Sequence, residues 1–230
     1  EDVWICNDCL LKIKLNTDFF CASCSSKNNY GAYCNKCKNK FFLKGVWIAG
    51  NYNVKGTNKK SSIAVLINRL KYNFAKKISE HLGDFLFRFL KNIFKQAALS
   101  SFLSGKEYMP NTLKQENRLP QIMTTPSYNT IIIPVPLHIK KLKWRGFNQA
   151  ELIAQVVSSN ADIKINCHDL IKIKHNGPQT KLKADKRRKN VHGAYRWVGK
   201  KIKNKNIILI DDVITTGATL NECAKILKKN

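Results

Sequence analysis

Apolar residues recur at helical spacing in two stretches of the first half of the chain. Ile63, Leu66, Ile67, Leu70 and Phe74 share one face of a predicted helix, capped by Ser61–Ser62 and running through Lys77. Leu82, Phe85, Leu86, Phe89, Leu90, Ile93, Phe94 and Ala97 repeat at i, i+3, i+4, i+7 and predict a second helix from about Leu82. Its Lys91 and Lys95 would also suit a membrane surface, but covering a sheet face is the commoner use of such a pattern. Elsewhere the apolar positions come in short unbroken runs. Val46–Trp47–Ile48–Ala49, Ile131–Ile133, Leu170–Ile173 and Ile207–Ile210 predict strands, the last of them buried on both faces. Ala150, Leu152, Ile153, Val156 and Val157 predict a helix after Arg145–Gln149, and Thr219–Lys228 predicts another. Strands alternating with helices give an α/β fold with a mainly parallel, wound sheet. Residues 104–129 are polar, hold three prolines and read as a flexible loop, and Lys181–Lys189 reads as a mobile basic excursion.

Length and composition add limits. A chain of 230 residues, 43% of them hydrophobic, holds one α/β domain and a small appendage. No apolar run reaches the 18 or so residues of a transmembrane helix. The opening Glu1-Asp2-Val3-Trp4-Ile5-Cys6 lacks the pattern of a signal peptide, and both ends read as cut from a longer chain. The net charge is +26 and unevenly spread. Residues 51–120 carry 13 basic groups against 4 acidic, residues 121–206 carry 18 against 4, and the last 24 carry 3 against 3. Lys, Asn and Ile are abundant together, as an AT-rich coding sequence would give. Whatever its origin, the excess draws polyanions such as nucleic acid, anionic lipid or polyphosphate.

Six of the eight cysteines form three C-x-x-C pairs: Cys6/Cys9, Cys21/Cys24 and Cys34/Cys37. Two such pairs can close a tetrahedral zinc site. Cys21, Cys24, Cys34 and Cys37 enclose the shorter loop and are the first choice. Cys6 and Cys9 would then be half of a second site; the alternative pairs them with Cys21 and Cys24. A disulfide knot is the competing reading, disfavoured by the missing signal peptide. Residues 1–44 therefore read as a Cys-rich zinc-binding module, too small for a core of its own, before an α/β domain at 45–230.

The richest chemistry lies in Ile207-Ile208-Leu209-Ile210-Asp211-Asp212-Val213-Ile214-Thr215-Thr216-Gly217-Ala218-Thr219. Two carboxylates stand where a buried strand ends, the usual ligand position in an open α/β sheet. A loop of Thr, Gly and small residues then opens a helix, whose N–H groups and hydroxyls suit a phosphate. Carboxylates repel phosphate, so Asp211 and Asp212 are read as acceptors for sugar hydroxyls or neighbours of Mg2+. Acids followed by a phosphate cradle spell a sugar phosphate with an adjacent diol.

This stretch resembles the phosphoribosyl-pyrophosphate (PRPP) signature of type I phosphoribosyltransferases. The chain more broadly resembles the ComF family of competence proteins. The matching segments include Cys6-x2-Cys9-Leu10, Leu70-Lys71-Tyr72, Ile133-Pro134-Val135-Pro136-Leu137, Arg145-Gly146-Phe147-Asn148-Gln149, Gln179-Thr180 and Arg187-x2-Asn190-Val191. The resemblance implies a cytoplasmic protein, or one peripheral to the inner face of the membrane. It implies structural zinc, PRPP with Mg2+, uptake of single-stranded DNA in natural transformation, and a DNA-uptake helicase or channel partner. By position, Asp211 and Asp212 would hold the ribose hydroxyls, and Thr215, Thr216, Gly217, Ala218 and Thr219 the 5′-phosphate. Gln179, Thr180 and Arg187 would belong to a flap. Asp211, Asp212 and Arg145 would be catalytic if ribose 5-phosphate is transferred to a base or amine, with Arg145 facing the pyrophosphate; a plain surface charge is the alternative for Arg145. His138 lies near, but a lone His more often packs or faces solvent. Tyr195, Trp197, Trp144 and Phe147 lie among basic residues and could stack bases, unless the core takes them. The family often has His where Cys34 stands, an upstream Cys pair, and a further strand beyond the position of Asn230, so the sheet is expected to lack its C-terminal strand.

Overall fold

The computed structural model describes residues 5–6, 13–24, 26–27, 31–54, 57, 59–73, 75–103, 129–175 and 190–230, with 94–103 described by backbone alone. The predicted 104–129 loop (but for Asn129), the 181–189 excursion, the flap residues and Cys9 lie outside them. Five α-helices are described: α1 (Ser62–Tyr72), α2 (Ile78–Leu103), α3 (Ile139–Arg145), α4 (Gln149–Ala161) and α5 (Ala218–Lys228). The strands are β1 (Thr130–Pro134), β2 (Lys164–Ile165), β3 (Leu170–Lys172), β4 (Tyr195–Trp197) and β5 (Asn206–Ile210).

The main sheet is parallel, in the order β2-β1-β5, with Ile132 beside Ile208 and Pro134 beside Ile210. β3 and β4 make a separate antiparallel pair. Alternation along the strands assigns the two cores. Ile132, Ile208 and Ile210 face Leu66, Leu70, Leu82, Phe89, Ile153 and Val157 of α1, α2 and α4. Ile133 and Val135 face the other way, onto Leu170, Tyr195, Leu220, Cys223 and Leu227. Both faces of the sheet are covered, as the run Ile207–Ile210 predicts.

Two predicted boundaries change and one predicted strand does not form. Ser61 caps α1 as expected, its hydroxyl accepting from the Ala64 N–H at 3.3 Å. The helix stops at Tyr72 rather than Lys77, because the chain turns at Asn73 to bury Ala75 in the corner before α2. α2 starts at Ile78 rather than Leu82: Ile78 extends the same apolar face by one turn and is fully buried. Val46–Ala49 forms no strand. Its backbone bonds are single links to the Cys-rich segment, Val46 N–H to Gly31 C=O at 2.9 Å and Asn16 N–H to Ala49 C=O at 2.9 Å, while Trp47 and Ala49 cover the rim of the first core. The short helix α3 was not expected from sequence.

Gly83 marks the closest approach of two helices. A Cβ at this position would lie 2.4 Å from Val156 Cβ, so α2 and α4 meet only because residue 83 has no side chain. β5 is an edge strand, and a groove of about 640 Å³ lined by residues such as Trp47, Ile63, Phe85, Ile207 and Val213 runs beside it.

Candidate functional site

The Arg145–Gln149 segment is a corner that ties helices to the end of β1. Gly146 ends α3 in the left-handed conformation (φ 77°), and its N–H donates to Leu142 C=O. Phe147 enters the first core. Asn148 is the N-cap of α4, and its side-chain amide donates to Val135 C=O at 3.0 Å. Beside this corner, Val135 N–H donates to Ile210 C=O at 2.9 Å, which holds the ends of β1 and β5 together. Asp211 and Asp212 emerge at that point.

Asp211 Oδ1 accepts from the Asp212 N–H at 2.9 Å, fixing the turn off the strand. Burial, then the neighbouring Asp212, pushes the Asp211 pKa well above the carboxylate range. Asp212 is ion-paired with Lys71 from the last turn of α1, and both side chains are mostly buried. Gly217, at φ 69°, is the N-cap of α5, and the Thr216 hydroxyl accepts from the Ala218 N–H at 3.4 Å. Only Ile214 Cδ1, at 3.8 Å, would stand near a Cβ on Gly217, so it is the backbone angle that selects glycine here. The Thr219 side chain is hydrogen-bonded to the Tyr195 phenol, whose pKa is raised by burial.

Further cations surround the acids. Arg145 is only 4% exposed, and among the described residues its Nε has no acceptor. Its pKa is lowered by burial, against the pull of Asp212. Its guanidinium carbon lies 5.8 Å from the Tyr72 ring centroid and 5.6 Å from that of Trp144. The plain-surface-charge reading of Arg145 is therefore corrected. Lys141 reaches the surface, yet its pKa is lowered by partial burial of the ammonium and by Arg145, Lys172 and Lys71. Lys172 on β3 is lowered by burial, although Cys223 and Asp211 oppose the shift. Four cations thus lie near two carboxylates, and the buried guanidinium has one nitrogen, Nε, without an acceptor among the described residues. This is the electrostatic shape of an anion site. His138 serves locally: it is the N-cap of α3, its Nδ1 accepting from Lys140 N–H at 3.2 Å.

The structure brings the predicted acids, Thr–Gly loop and Arg145 to one end of the sheet. Lys71 and Lys172 stand with them, though sequence reading assigned neither a role there. The only local signal was the position of Lys71 next to the core residue Leu70. Of the suggested base-stacking residues, Tyr195 and Phe147 are buried at 3% and 6%, whereas Trp144 is 59% exposed.

The cysteines form a second candidate centre. The Sγ atoms of Cys21, Cys24, Cys34 and Cys37 all lie within 4.8 Å of one another. Four sulfurs around zinc at 2.3 Å would stand about 3.8 Å apart, and Cys24 and Cys34 are at 3.6 Å, so the donor set fits a tetrahedral zinc and is far from disulfide contact. Hydrogen bonding to Ser26 lowers the Cys24 thiol to about 6. At Cys21 burial opposes ionisation, but the backbone N–H groups of Cys34, Cys24 and Ser23 outweigh it and the pKa falls. Cys37, despite a favourable Ser23 contact, is pushed up to about 11 by burial and the other three thiols. Cys6 is exposed, and among the described residues it is not in this group. The cluster packs onto the candidate site: Ile214, from the loop after the acids, contacts the small core of Cys21, Tyr33, Cys37 and Val46. Phe42 N–H also donates to Asn221 Oδ1 on α5 at 2.7 Å. Among the described residues no helix is long and apolar enough to cross a membrane.

No protein-family model and no solved structure matches the chain. Curated proteins do. "Competence protein F" of Haemophilus influenzae is 29% identical over 98% of this chain and 84% of its own length. "Competence protein ComFC" of Bacillus subtilis is 28% identical over 98% of this chain and 78% of its own. "DNA utilization protein YhgH" of Escherichia coli O157:H7 is 32% identical over 43% of each chain. Similarity to two competence proteins thus runs through both the cysteine cluster and the carboxylate end of the sheet, and supports a protein of ComF type.

Proposed function

We propose that the protein binds PRPP, or a closely related pentose phosphate, at the end of β5 and works in the uptake of single-stranded DNA. The observation that carries the ligand is the convergence of Lys71, Lys141, Arg145 and Lys172 on Asp211 and Asp212, beside the left-handed Gly217 that opens α5. Asp211 and Asp212 accept from the ribose hydroxyls, the Thr215–Thr219 backbone and hydroxyls take the 5′-phosphate, and Arg145 takes the pyrophosphate. Mg2+ carried with the pyrophosphate would offset its charge. The DNA-uptake role rests on the names of the relatives and on the basic excess of residues 51–206. It fits a cytoplasmic protein, with the basic surface turned to DNA or to a helicase or channel partner at the inner face of the membrane. Zinc at Cys21, Cys24, Cys34 and Cys37 is structural: it fixes the segment on which Ile214 rests. A Cys-rich module at 1–44 and an α/β domain at 45–230 remain the proposed division.

A second reading, transfer of ribose 5-phosphate to a base or amine, is favoured by Arg145, Lys141 and Lys172, cations beside the acids that could offset the charge of a leaving pyrophosphate. Holding the sugar rigidly and stabilising that charge would supply the catalysis. The test has two arms. Replacing Asp211 and Asp212 by Asn in a transformable host should lower transformation frequency at least tenfold with protein level unchanged; full frequency would refute the reading. Pyrophosphate release from PRPP with purine, pyrimidine or amine acceptors would establish the enzyme, and silence across them would remove it.

A further inference from the structure

Tyr72 and Trp144 are among the most exposed large side chains of the described residues, at 56% and 59%. They come from different helices, the last residue of α1 and the penultimate residue of α3. Both flank the guanidinium of Arg145, itself 4% exposed, at 5.8 and 5.6 Å from their ring centroids. Arg145 thus couples two rings that keep more than half of their surface in water. Such cation–π contacts favour one arrangement of the rings over free rotation. The surroundings are cationic. Lys76 and Lys77 lie near in sequence to Tyr72, and Lys140 and Lys143 share α3 with Trp144. Lys76 is exposed, with its ammonium 5.4 Å from the Phe147 ring.

Exposed apolar rings on a basic surface invite a polyanion with π-faces. We infer that Tyr72 and Trp144, ordered by Arg145, form a stacking platform for the bases of a single-stranded nucleic acid, whose phosphates are met by the surrounding lysines. Aromatic stacking accepts any base, whereas lysines follow the backbone, so the platform binds single strands without sequence preference. Duplex DNA hides its base faces and gains only the lysine part. The inference rests on the DNA half of the reading above and adds where and how the bases are held.

The experiment uses the full zinc-loaded chain and fluorescence anisotropy with three probes of equal length: oligo-dT, the same strand with abasic sites, and a duplex. The abasic strand keeps the charge and lacks the bases. Wild type should bind oligo-dT about tenfold more tightly than the abasic strand or the duplex. Trp144→Ala and Tyr72→Ala should each weaken oligo-dT binding about five- to tenfold. Neither should change abasic affinity or the salt slope, because stacking releases no counterions. Trp144→Phe should keep most of the affinity. Photocrosslinking of wild type to an iodouracil strand needs no variant and should label Tyr72 or Trp144. Equal wild-type affinity for oligo-dT and abasic strands, equal loss on both probes in the variants, or crosslinks only elsewhere overturns the platform. If wild type prefers oligo-dT but both alanine variants retain that preference, only the platform fails. If wild type binds none of the probes, the DNA half of the proposed function fails with it.

Discussion

The cysteine cluster and the carboxylate end of the sheet are built on opposite plans. The four thiols come from one short stretch, closed by local turns such as Cys37 N–H to Cys34 C=O at 2.8 Å. Few apolar side chains are buried with them. The sheet site draws Lys71 from α1, Arg145 from α3, Lys172 from β3 and the acids from β5, and stands on two cores. The first region has only a small core and a thiol set that could hold an ion; the second is held by packing. Removing the ion, or the packing, should therefore break one region and spare the other.

The largest effect is expected from the metal. Structural zinc contributes about 10–16 kcal/mol in isolated zinc-finger peptides, far more than the apolar contacts here could replace. Chelation, or Cys24→Ser with Cys34→Ser, should take metal content from one ion per chain to none. It should expose residues 21–46 to amide exchange while the far-ultraviolet helical signal of α1–α5 persists. Loss of the whole fold would contradict the contrast. Metal binding should weaken as pH falls, since four thiolates are needed and Cys37, at about 11 without metal, is the hardest to ionise.

Next is the Lys71–Asp212 pair. Its side chains are 20% and 12% exposed, so breaking it should cost about 2–3 kcal/mol, less than the roughly 3–5 of a fully buried pair. Lys71→Met and Asp212→Asn should each lower urea stability by that amount, and the double variant by clearly less than the sum. Additive losses would mean the two groups do not act together.

At Gly83, alanine should cost about 1–3 kcal/mol through overpacking against Val156, and Val156→Ala should recover much of it. No recovery would place the strain elsewhere.

Asp211 gives the gentlest test. Its pKa is raised in the fold, so the native state holds a proton that the unfolded chain releases near the usual value of 3.8. Stability should fall as pH rises from that value through the folded pKa. Asp211→Asn carries no such charge and should be more stable than wild type at neutral pH, the gap closing in acid. A gap that grows in acid would reverse the sign of the argument.

What the sequence made legible follows the same divide. C-x-x-C spacing and the Asp-Asp-x4-Gly order are local, so the cluster and the loop could be read directly. The cores were legible because Ile132 and Ile133, or Ile208 and Leu209, alternate in a pattern set by the strand itself. Lys71 and Lys172 were not, because nothing near either residue records the tertiary neighbour that gives it meaning. Val46–Ala49 misled for a related reason: its apolar run covers a core rim rather than pairing in a sheet, a distinction decided by distant partners.

The central claim is that the end of β5 grips a phosphorylated pentose. Isothermal titration calorimetry of the zinc-loaded chain with PRPP and Mg2+ tests it most directly. Saturable one-to-one binding in wild type, weakened about a hundredfold by Asp211→Asn with Asp212→Asn through loss of the hydrogen bonds to the sugar hydroxyls, is the predicted result. No binding in wild type, or equal affinity in the double variant, would contradict it.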